Sequence, residues 1–279
     1  MITQTESDNI YAYAYIPEHL VDYVTSVSSA EPHLFQCYLC YKKDETLIFI
    51  GYPLGESFDE KQMETSIARA TKAIKPRIVS LIAPTTVTMN DRIIQKNSDS
   101  YYRLDLSNLI ISSKVRNMLR RASKEVSVEQ SNKWQKMHET LVVEFLSTHQ
   151  LSEESQHIFL KIPEYVSSSK SVSILNALNN EGNLIAFDVV DYGSRNYAFY
   201  MFNFASKEHY IPGASDLLLS QAIVSARLKG KRFANLGLAI NKGITFFKQK
   251  WGGIPFLNHE FVLYETSQTG TIETLLGRL

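Results

Sequence analysis

The sequence has few cysteines, no long apolar run and no excess of charge of either sign. Two cysteines among 279 residues cannot form the disulfide framework of a small secreted protein. The first residues, MITQTESDNI, lack the basic and apolar regions of a signal peptide, and no stretch reaches the ~20 apolar residues of a membrane helix. The 29 basic and 29 acidic residues balance, so no overall field draws the chain to nucleic acid or to an anionic membrane. We therefore expect a soluble cytoplasmic protein without a transmembrane segment.

The two cysteines, Cys37 and Cys40, have the spacing C-x-x-C. This pair supplies only half of a four-ligand zinc site, and none of the seven histidines has a metal-ligand spacing to another. Phe35–Tyr41 also has the composition of a strand, in which residues three apart point to opposite faces. We interpret the cysteines as structural, in preference to redox or metal chemistry, and predict no metal and no tightly bound cofactor.

Composition and length indicate a folded chain of two domains. Hydrophobic residues make up 44% of the sequence and charged residues 21%, which is enough apolar surface for a sizeable core. The length exceeds that of a usual single domain. We predict a first half at residues 1–110, a helical connection at 111–165 and a second domain at 166–279.

The element pattern of the first half is that of an α/β fold. The predicted elements are strands at Leu34–Tyr41, Thr46–Pro53 and Arg77–Ile82, a helix at Asp59–Ala73, and an extended segment at Tyr101–Leu106. Asp59 is expected to cap the helix. The polar segment Pro84–Asp99 is predicted to be irregular.

The second half is predicted to begin with three antiparallel strands and to continue with alternating helices and strands. The predicted elements are strands at Val172–Leu178, Leu184–Tyr192 and Tyr197–Ala205, a helix at Asp216–Lys229, a strand at Phe233–Leu238, a helix near Gly243 and a strand at His259–Tyr264. The strand Tyr197–Ala205 is apolar on both faces, so we expect it in the centre of its sheet.

Helices are predicted in the connection, and the first of them, Ser113–Lys124, is amphipathic with a basic face. Arg116, Arg120 and Arg121 lie on that face. It is either a solvated surface or a binding site for the phosphates of a tRNA, a nucleotide or a lipid headgroup. Two further helices are predicted at Trp134–His149 and near Glu153–Leu160.

The run Asn235–Gly253 places a glycine, Gly237, at a strand end, followed by a short helix that carries Phe247 and Lys248 and ends in an aromatic-Gly pair at Trp251. It is similar to the carboxy-terminal signature of the Fem-like branch of the GNAT superfamily. That branch includes the Fem peptidoglycan aminoacyltransferases and the catalytic domain of phosphatidylglycerol lysyltransferase. The resemblance implies an α/β (α+β) fold of tandem GNAT-like halves, each a mostly antiparallel mixed sheet flanked by helices.

The resemblance also implies a donor-binding loop, because GNAT domains hold the donor's pyrophosphate on backbone N–H groups at a helix amino terminus. The implied donor-binding residues are Tyr210, Gly213, Ala214, Ser215 and Gly237. The loop departs from the CoA-binding pattern, since Tyr210 stands where Arg or Gln is expected and Ala214 follows Gly213 directly. Asp216 would place a carboxylate where a phosphate should lie. The alternative is a structural turn in which Ser215 and Asp216 cap the helix.

Three residues are candidates for catalysis. By its resemblance to the Fem-like lysine, Lys248 would bind an anionic part of the substrate or stabilise the oxyanion of the transferred acyl group; the alternative is a surface lysine. Asp188 lies in an apolar setting that could raise its pKa into the range of a general base, or else it faces solvent on an edge strand. Tyr200 lies on the next strand, at whose exit, by the resemblance, the acceptor would bind.

Two functional hypotheses follow. In the first, the chain is a Fem-like GNAT acyltransferase or aminoacyltransferase that uses acyl-CoA or aminoacyl-tRNA as co-substrate. It would transfer the group to an amine or hydroxyl of a small-molecule, peptide or lipid acceptor. In the second, the chain is a catalytically inactive ligand-binding protein on the GNAT scaffold, because fold alone does not establish catalysis.

Overall fold

Two units, each with its own run of neighbouring strands, organise the chain. The computed structural model describes residues 2–87 and 91–266. Among these residues, one unit consists of 2–6, 29–87, 91–100 and 257–266, and the other of Ser7–Ser28 and Tyr101–Phe256. We refer to them as the first and the second unit.

The helices and strands have the following bounds in the described residues. The helices are α1 Gln4–Tyr13, α2 Val21–Ser28, α3 Glu60–Ile74, α4 Ser113–Ala122, α5 Lys136–Thr148, α6 Glu153–Leu160, α7 Ile162–Ser168, α8 Ala214–Leu228 and α9 Lys242–Lys250, with a 3₁₀ turn at Pro17–His19. The strands are β1 Glu31–Phe35, β2 Tyr38–Lys43, β3 Thr46–Ile50, β4 Ile78–Ala83, β5 Arg92–Asp105, β6 Val126–Ser131, β7 Val172–Asn179, β8 Leu184–Asp191, β9 Tyr197–Ala205, β10 Phe233–Leu238 and β11 Ile254–Glu265.

The first unit contains the strand order β1-β2-β3-β4-β11, in which β3 and β4 are parallel and the other neighbours antiparallel. Helix α3 forms the crossover between the parallel strands, as a parallel connection requires. Asp59 caps this helix as predicted, since its carboxylate accepts a hydrogen bond from Gln62 N at 2.7 Å. Buried Met63 and Ile67 pack the helix onto the sheet.

The second unit repeats this plan with the strand order β5-β10-β9-β8-β7-β6. Strands β9 and β10 are parallel and joined through α8, whereas the other neighbours are antiparallel. Strand β9 therefore lies inside the sheet, as its apolar composition predicts. Leu218 and Leu219 of α8 cover one face of the sheet, and Phe187 and Phe204 stack on the other with ring centroids 5.0 Å apart.

The elements differ from the sequence predictions in several places, and helix α7 is one of the elements that the sequence analysis does not predict. The single strand predicted at Leu34–Tyr41 is two strands, because the chain turns at Gln36, whose φ is 57°. Strand β5 begins at Arg92, although Pro84–Asp99 is predicted to be irregular; its first seven residues are exposed, and their two apolar members, Ile93 and Ile94, are adjacent and do not alternate. Strand β6, also largely exposed, and the amino-terminal helices α1 and α2 are absent from the predictions.

The division into units differs from the predicted boundaries at 110 and 165. Residues 111–165 belong to the second unit, because β6 pairs with β7 and α5 packs on the sheet. Residues 257–266 belong to the first unit, because Glu260–Glu265 of β11 pairs with β4. Residues 7–28 belong to the second unit, where Asn235 Nδ2 donates to Tyr15 O at 2.8 Å.

Three further observations concern the described residues. None of their helices has both the length and the apolar character that a bilayer span requires. Cys37 and Cys40 are buried free thiols, and burial raises the pKa of Cys37 to about 11. Residues 2–87 and 91–266 contain no group of three or more His, Cys, Asp or Glu side chains that could hold a metal ion.

Candidate functional site

Strands β9 and β10 part in the middle of the second unit's sheet. Their parallel pairing extends only from Phe233 opposite Tyr197 to Asn235 opposite Phe199, whereas β9 remains paired with β8 as far as Ala205. At this point the register of β10 against β5 shifts, and Gly237 has a φ of 74° that favours glycine. This register shift is a β-bulge at Gly237. A hydrogen bond within β10 stabilises it, because Gly237 N donates to the side-chain oxygen of Asn235 at 2.7 Å.

A cavity of about 280 Å³ lies at the amino terminus of α8. It is enclosed by the end of β9, the loop that precedes α8 and one side of α9. Its walls combine apolar side chains with the polar groups of Ser215, Asp216 and Lys250. The lining residues are Ile185, Ala205, Tyr210, Ile211, Gly213, Ala214, Ser215, Asp216, Gly243, Phe246, Phe247 and Lys250.

The amino terminus of α8 presents unsatisfied backbone donors. Gly213 is the N-cap residue in the left-handed conformation, with no side-chain cap, so the prediction that Ser215 and Asp216 cap the helix is wrong. In the described part of the chain, the backbone N–H groups of Ser215 and Asp216 have no acceptor, because the first helical bond runs from Leu217 N to Gly213 O. Such a terminus is suited to an anion.

Gly213 also allows α4 to approach this terminus. A Cβ atom placed on Gly213 would lie 3.1 Å from both Met118 Cγ and Ala122 Cβ, which is closer than ordinary van der Waals contact. The apolar side of the basic helix therefore packs against the loop before α8. Arg116, Arg120 and Arg121 are exposed on the outer side of α4.

The Asp216 carboxylate faces α9. Its Oδ1 accepts hydrogen bonds from Trp251 Nε1 at 2.8 Å and from Lys250 Nζ at 2.6 Å. Trp251 is only 1% exposed, so the pair is held against the core. The negative charge of Asp216 is thus balanced by Lys250, and its bonds connect the start of α8 to the end of α9.

A second polar group connects the interior of the sheet to the cavity wall. Asp188 of β8 is fully buried, and its Oδ1 accepts from Tyr200 at 2.9 Å and from Asn203 Nδ2 at 2.6 Å. Ser215 Oγ in turn donates to Asn203 Oδ1 at 3.2 Å. Burial raises the pKa of Asp188 well above its ordinary value, although the two hydrogen bonds oppose the shift. The alternative of a solvent-facing residue on an edge strand is wrong.

Lys248 lies on α9 and is 5% exposed, so the alternative of a snorkelling surface lysine is also wrong. Its Nζ donates to the carbonyl oxygen of Leu238 and lies 5.9 Å from the centroid of the Tyr102 ring. A Cβ atom on Gly237 would stand 3.8 Å from this ammonium. The glycine bulge therefore leaves open space beside Lys248.

The loop between β9 and α8 is anchored by Glu144 of α5. Glu144 Oε1 accepts from Lys207 N at 2.7 Å and from Ser206 Oγ at 3.0 Å. Burial is the largest single influence on the pKa of this carboxyl and raises it, but the hydrogen bonds from Lys207, Ser206 and Glu208 together outweigh burial and lower the pKa. The ionised form of Glu144 is therefore the form that holds the loop.

Glu144→Gln is expected to lower the free energy of unfolding by about 1 kcal/mol at pH 7. Because the folded pKa of Glu144 lies below its ordinary value of 4.5, its stabilising contribution is complete above that value and disappears as the pH falls through the folded pKa. Urea denaturation should show a smaller difference in the free energy of unfolding between Glu144→Gln and the unsubstituted protein at about pH 3.5 than at about pH 7. Glu139→Gln, on the exposed side of α5, is the control; an equal gap at both pH values would contradict the assignment.

The predicted catalytic and donor-binding residues fall into three groups, and the predicted anion-binding arginines lie apart from them on α4. Tyr210, Gly213, Ala214 and Ser215 line the cavity. Lys248 and Gly237 form the group at the bulge, and Asp188 and Tyr200 form the buried group that reaches the cavity only through Asn203 and Ser215.

The predictions do not include Lys250 and Phe246, which line the cavity, or the indole N–H of Trp251 as a partner for Asp216. The helical spacing of Phe246 and Lys250 would have indicated that they share a face of α9.

Comparison with solved structures shows the fold. The L-PGS structure from Bacillus licheniformis aligns over 91% of this chain and 89% of its own, with 14% identity and a TM-score of 0.59. FemX aligns over 94% of this chain and 96% of its own, with 11% identity and a TM-score of 0.63. A tandem GNAT protein from the clavulanic acid biosynthesis pathway aligns over 83% and 79%, with 11% identity and a TM-score of 0.53.

No protein-family model matches the sequence, and no curated protein matches it either. The likeness therefore lies in the fold. It confirms the predicted α/β architecture of tandem GNAT-like halves, and this fold is similar to the folds of FemX and L-PGS.

Proposed function

We propose that this chain transfers an acyl or aminoacyl group from an activated donor to an amine or hydroxyl acceptor. The observation that carries the proposal is the amino terminus of α8, whose free N–H groups at Ser215 and Asp216 border a cavity beside the parting strands β9 and β10. Free backbone donors can bind the phosphates of a donor molecule. The solved structures with this fold include proteins named as a putative lysylphosphatidylglycerol synthetase and as a GCN5-related N-acetyltransferase, which is consistent with a group-transfer reaction.

In this proposal Lys248 stabilises the oxyanion that develops on the transferred acyl group. Its ammonium is buried, held by the Leu238 carbonyl, and adjacent to the space left by Gly237. A fixed cation in a site that excludes water stabilises developing negative charge more strongly than the same cation in solvent. The acceptor would approach from the strand split, and its nitrogen or oxygen would form the new bond to the acyl carbon. The bond from that carbon to the donor's thioester sulfur or ribose oxygen would break, and the acceptor's proton would pass to solvent or to the leaving sulfur or oxygen.

The donor is either an acyl-CoA or an aminoacyl-tRNA. Both carry phosphates, and the exposed arginines of α4 lie on a helix that packs directly against Gly213. Guanidinium groups bind phosphate in a bidentate manner. Radiolabelled acetyl-CoA and a mixture of charged aminoacyl-tRNAs, each incubated with amine and lipid acceptors, test the function directly. If neither acetyl-CoA nor any aminoacyl-tRNA were turned over, the proposal would be contradicted.

The two donors are distinguished by reversing charge on α4. If the donor is a tRNA, the double variant Arg120→Glu and Arg121→Glu should weaken tRNA retention by about 10- to 100-fold at low salt, because phosphate contacts and their counterion release are lost. Arg69→Glu with Lys72→Glu, on exposed positions of α3, is the matched control for net charge. Filter binding at two salt concentrations measures the effect. Equal retention by both double variants would exclude α4 as the tRNA site and leave acyl-CoA as the proposed donor.

A second candidate is a ligand-binding protein on the same scaffold. The position of Asp188 favours this candidate. Asp188 is the most deeply buried of the predicted catalytic groups and does not line the cavity, so it is not placed to take a proton from an acceptor there. A donor that raises the melting temperature without being consumed would support this candidate.

A further inference from the structure

The buried group around Asp188 has a defined direction of hydrogen bonding. Tyr200 and Asn203 both donate to the same carboxyl oxygen, Asp188 Oδ1. The Asn203 amide nitrogen therefore points inward, and its oxygen points toward α8. That oxygen accepts the hydroxyl hydrogen of Ser215. A serine hydroxyl has one hydrogen and two lone pairs, so once its hydrogen is directed to Asn203 only acceptor capacity remains.

Ser215 lines the cavity, and Asp188 is 0% exposed behind it. The other carboxyl oxygen, Asp188 Oδ2, is buried and has no hydrogen-bond partner among the described residues. A buried polar atom without a partner costs free energy, so a carboxyl group retained here requires an explanation other than stability. One such explanation is that the carboxyl group orients the side chains of Asn203 and Ser215, which lie between it and the cavity.

We infer that Asp188 is a positioning residue that, through Asn203, fixes Ser215 Oγ as a hydrogen-bond acceptor in the cavity wall, selecting a ligand group that carries an N–H donor. The inference rests on the proposed function only in taking this cavity as the donor's site. The cavity then has two chemically distinct parts. The backbone N–H groups of Ser215 and Asp216 face phosphate or carboxylate oxygens, whereas the Ser215 side chain faces an amide or amine.

The inference is tested with two small probes and without measuring transfer. Pantetheine carries amide N–H groups, and inorganic pyrophosphate carries only acceptors at the relevant atoms. Binding of each is measured by calorimetry for the unsubstituted full chain and for Asp188→Asn, Asp188→Leu and Ser215→Ala. Hydrogen exchange of the Asn203 side-chain amide, followed by NMR, reports the orientation of the relay in the ligand-free protein.

Ser215→Ala is expected to weaken the binding of pantetheine about tenfold and to leave the binding of pyrophosphate unchanged, while the Asn203 side-chain amide stays protected from exchange. Asp188→Asn keeps an acceptor oxygen in place, so the Asn203 side-chain amide should remain protected from exchange and pantetheine should bind as it does to the unsubstituted chain. Asp188→Leu should lose both without weakening pyrophosphate. The Ser215 variant leaves Asp188 intact, so a folding failure of Asp188→Leu does not remove the test.

Three outcomes would overturn the inference: no pantetheine binding by the unsubstituted chain, equal pantetheine binding by all variants, or an equal loss of both probes in Ser215→Ala. The last of these would indicate a merely structural role. Failure of the proposed function is separate, because it is read from turnover of acyl-CoA or aminoacyl-tRNA and does not affect the probe affinities.

Discussion

Lys248→Ala is expected to lower the turnover of the donor by about 10²- to 10³-fold, which is the usual loss when one fixed donor to an oxyanion is removed. The effect should fall on turnover more than on donor affinity, since the charge that Lys248 would stabilise develops only during the reaction. The free energy of unfolding should fall by only about 1–2 kcal/mol, because the Leu238 carbonyl loses one donor. Steady-state kinetics and urea denaturation of the same preparation separate the two effects.

Lys242→Ala is the matched control for this variant. Lys242 is exposed at the first position of α9, so its removal changes the charge of the same helix without altering the bulge at Gly237. It should retain turnover within about twofold. Unchanged turnover in Lys248→Ala would remove Lys248 from the reaction and leave it as a structural donor.

Trp251→Ala is expected to cause the largest loss of stability, about 3–5 kcal/mol. Trp251 is 1% exposed and packs in the core of the second unit, so its truncation leaves a large cavity. It also removes the N–H that donates to Asp216 at 2.8 Å. The start of α8 and the end of α9 then remain connected through Lys250 alone, whose side chain is 23% exposed. Chemical denaturation measures the loss.

Trp251→Phe separates packing from hydrogen bonding. It keeps most of the aromatic volume and removes only the indole N–H, so we expect a smaller loss of about 1–2 kcal/mol. A loss in Trp251→Phe as large as that in Trp251→Ala would show that the bond to Asp216, more than the packing, stabilises this end of the cavity. A loss below about 1 kcal/mol in Trp251→Ala would contradict the packing argument.

The sequence predicts the core elements of the second unit well, because apolar periodicity is strongest where a strand or helix is buried on a sheet. The strand at Tyr197–Ala205 and the helix near Gly243 are examples. Strand β6 and the first residues of β5 are mostly exposed, and their few apolar residues do not extend into an alternating pattern, so the pairing of their backbones is weakly marked in the sequence.

The candidate site could be predicted only in part, for a similar reason. The loop at Tyr210–Ser215 and the lysine at position 248 are recognisable from local motifs. The orientation of Asp216 toward Lys250 and Trp251, and the relay from Asp188 to Ser215, depend on contacts between distant parts of the chain. Neither propensity nor spacing within one segment specifies such contacts.

The pairing of Glu260–Glu265 in β11 with β4 has a consequence for how the chain folds during its synthesis. Of the described strands, β11 leaves the ribosome last, so β4 spends most of translation without this neighbour. The six strands of the second unit are all made before it and can form their sheet earlier. The unit encoded first is therefore completed last, and until then the buried residues of β4 depend on β3 and α3 for protection from aggregation.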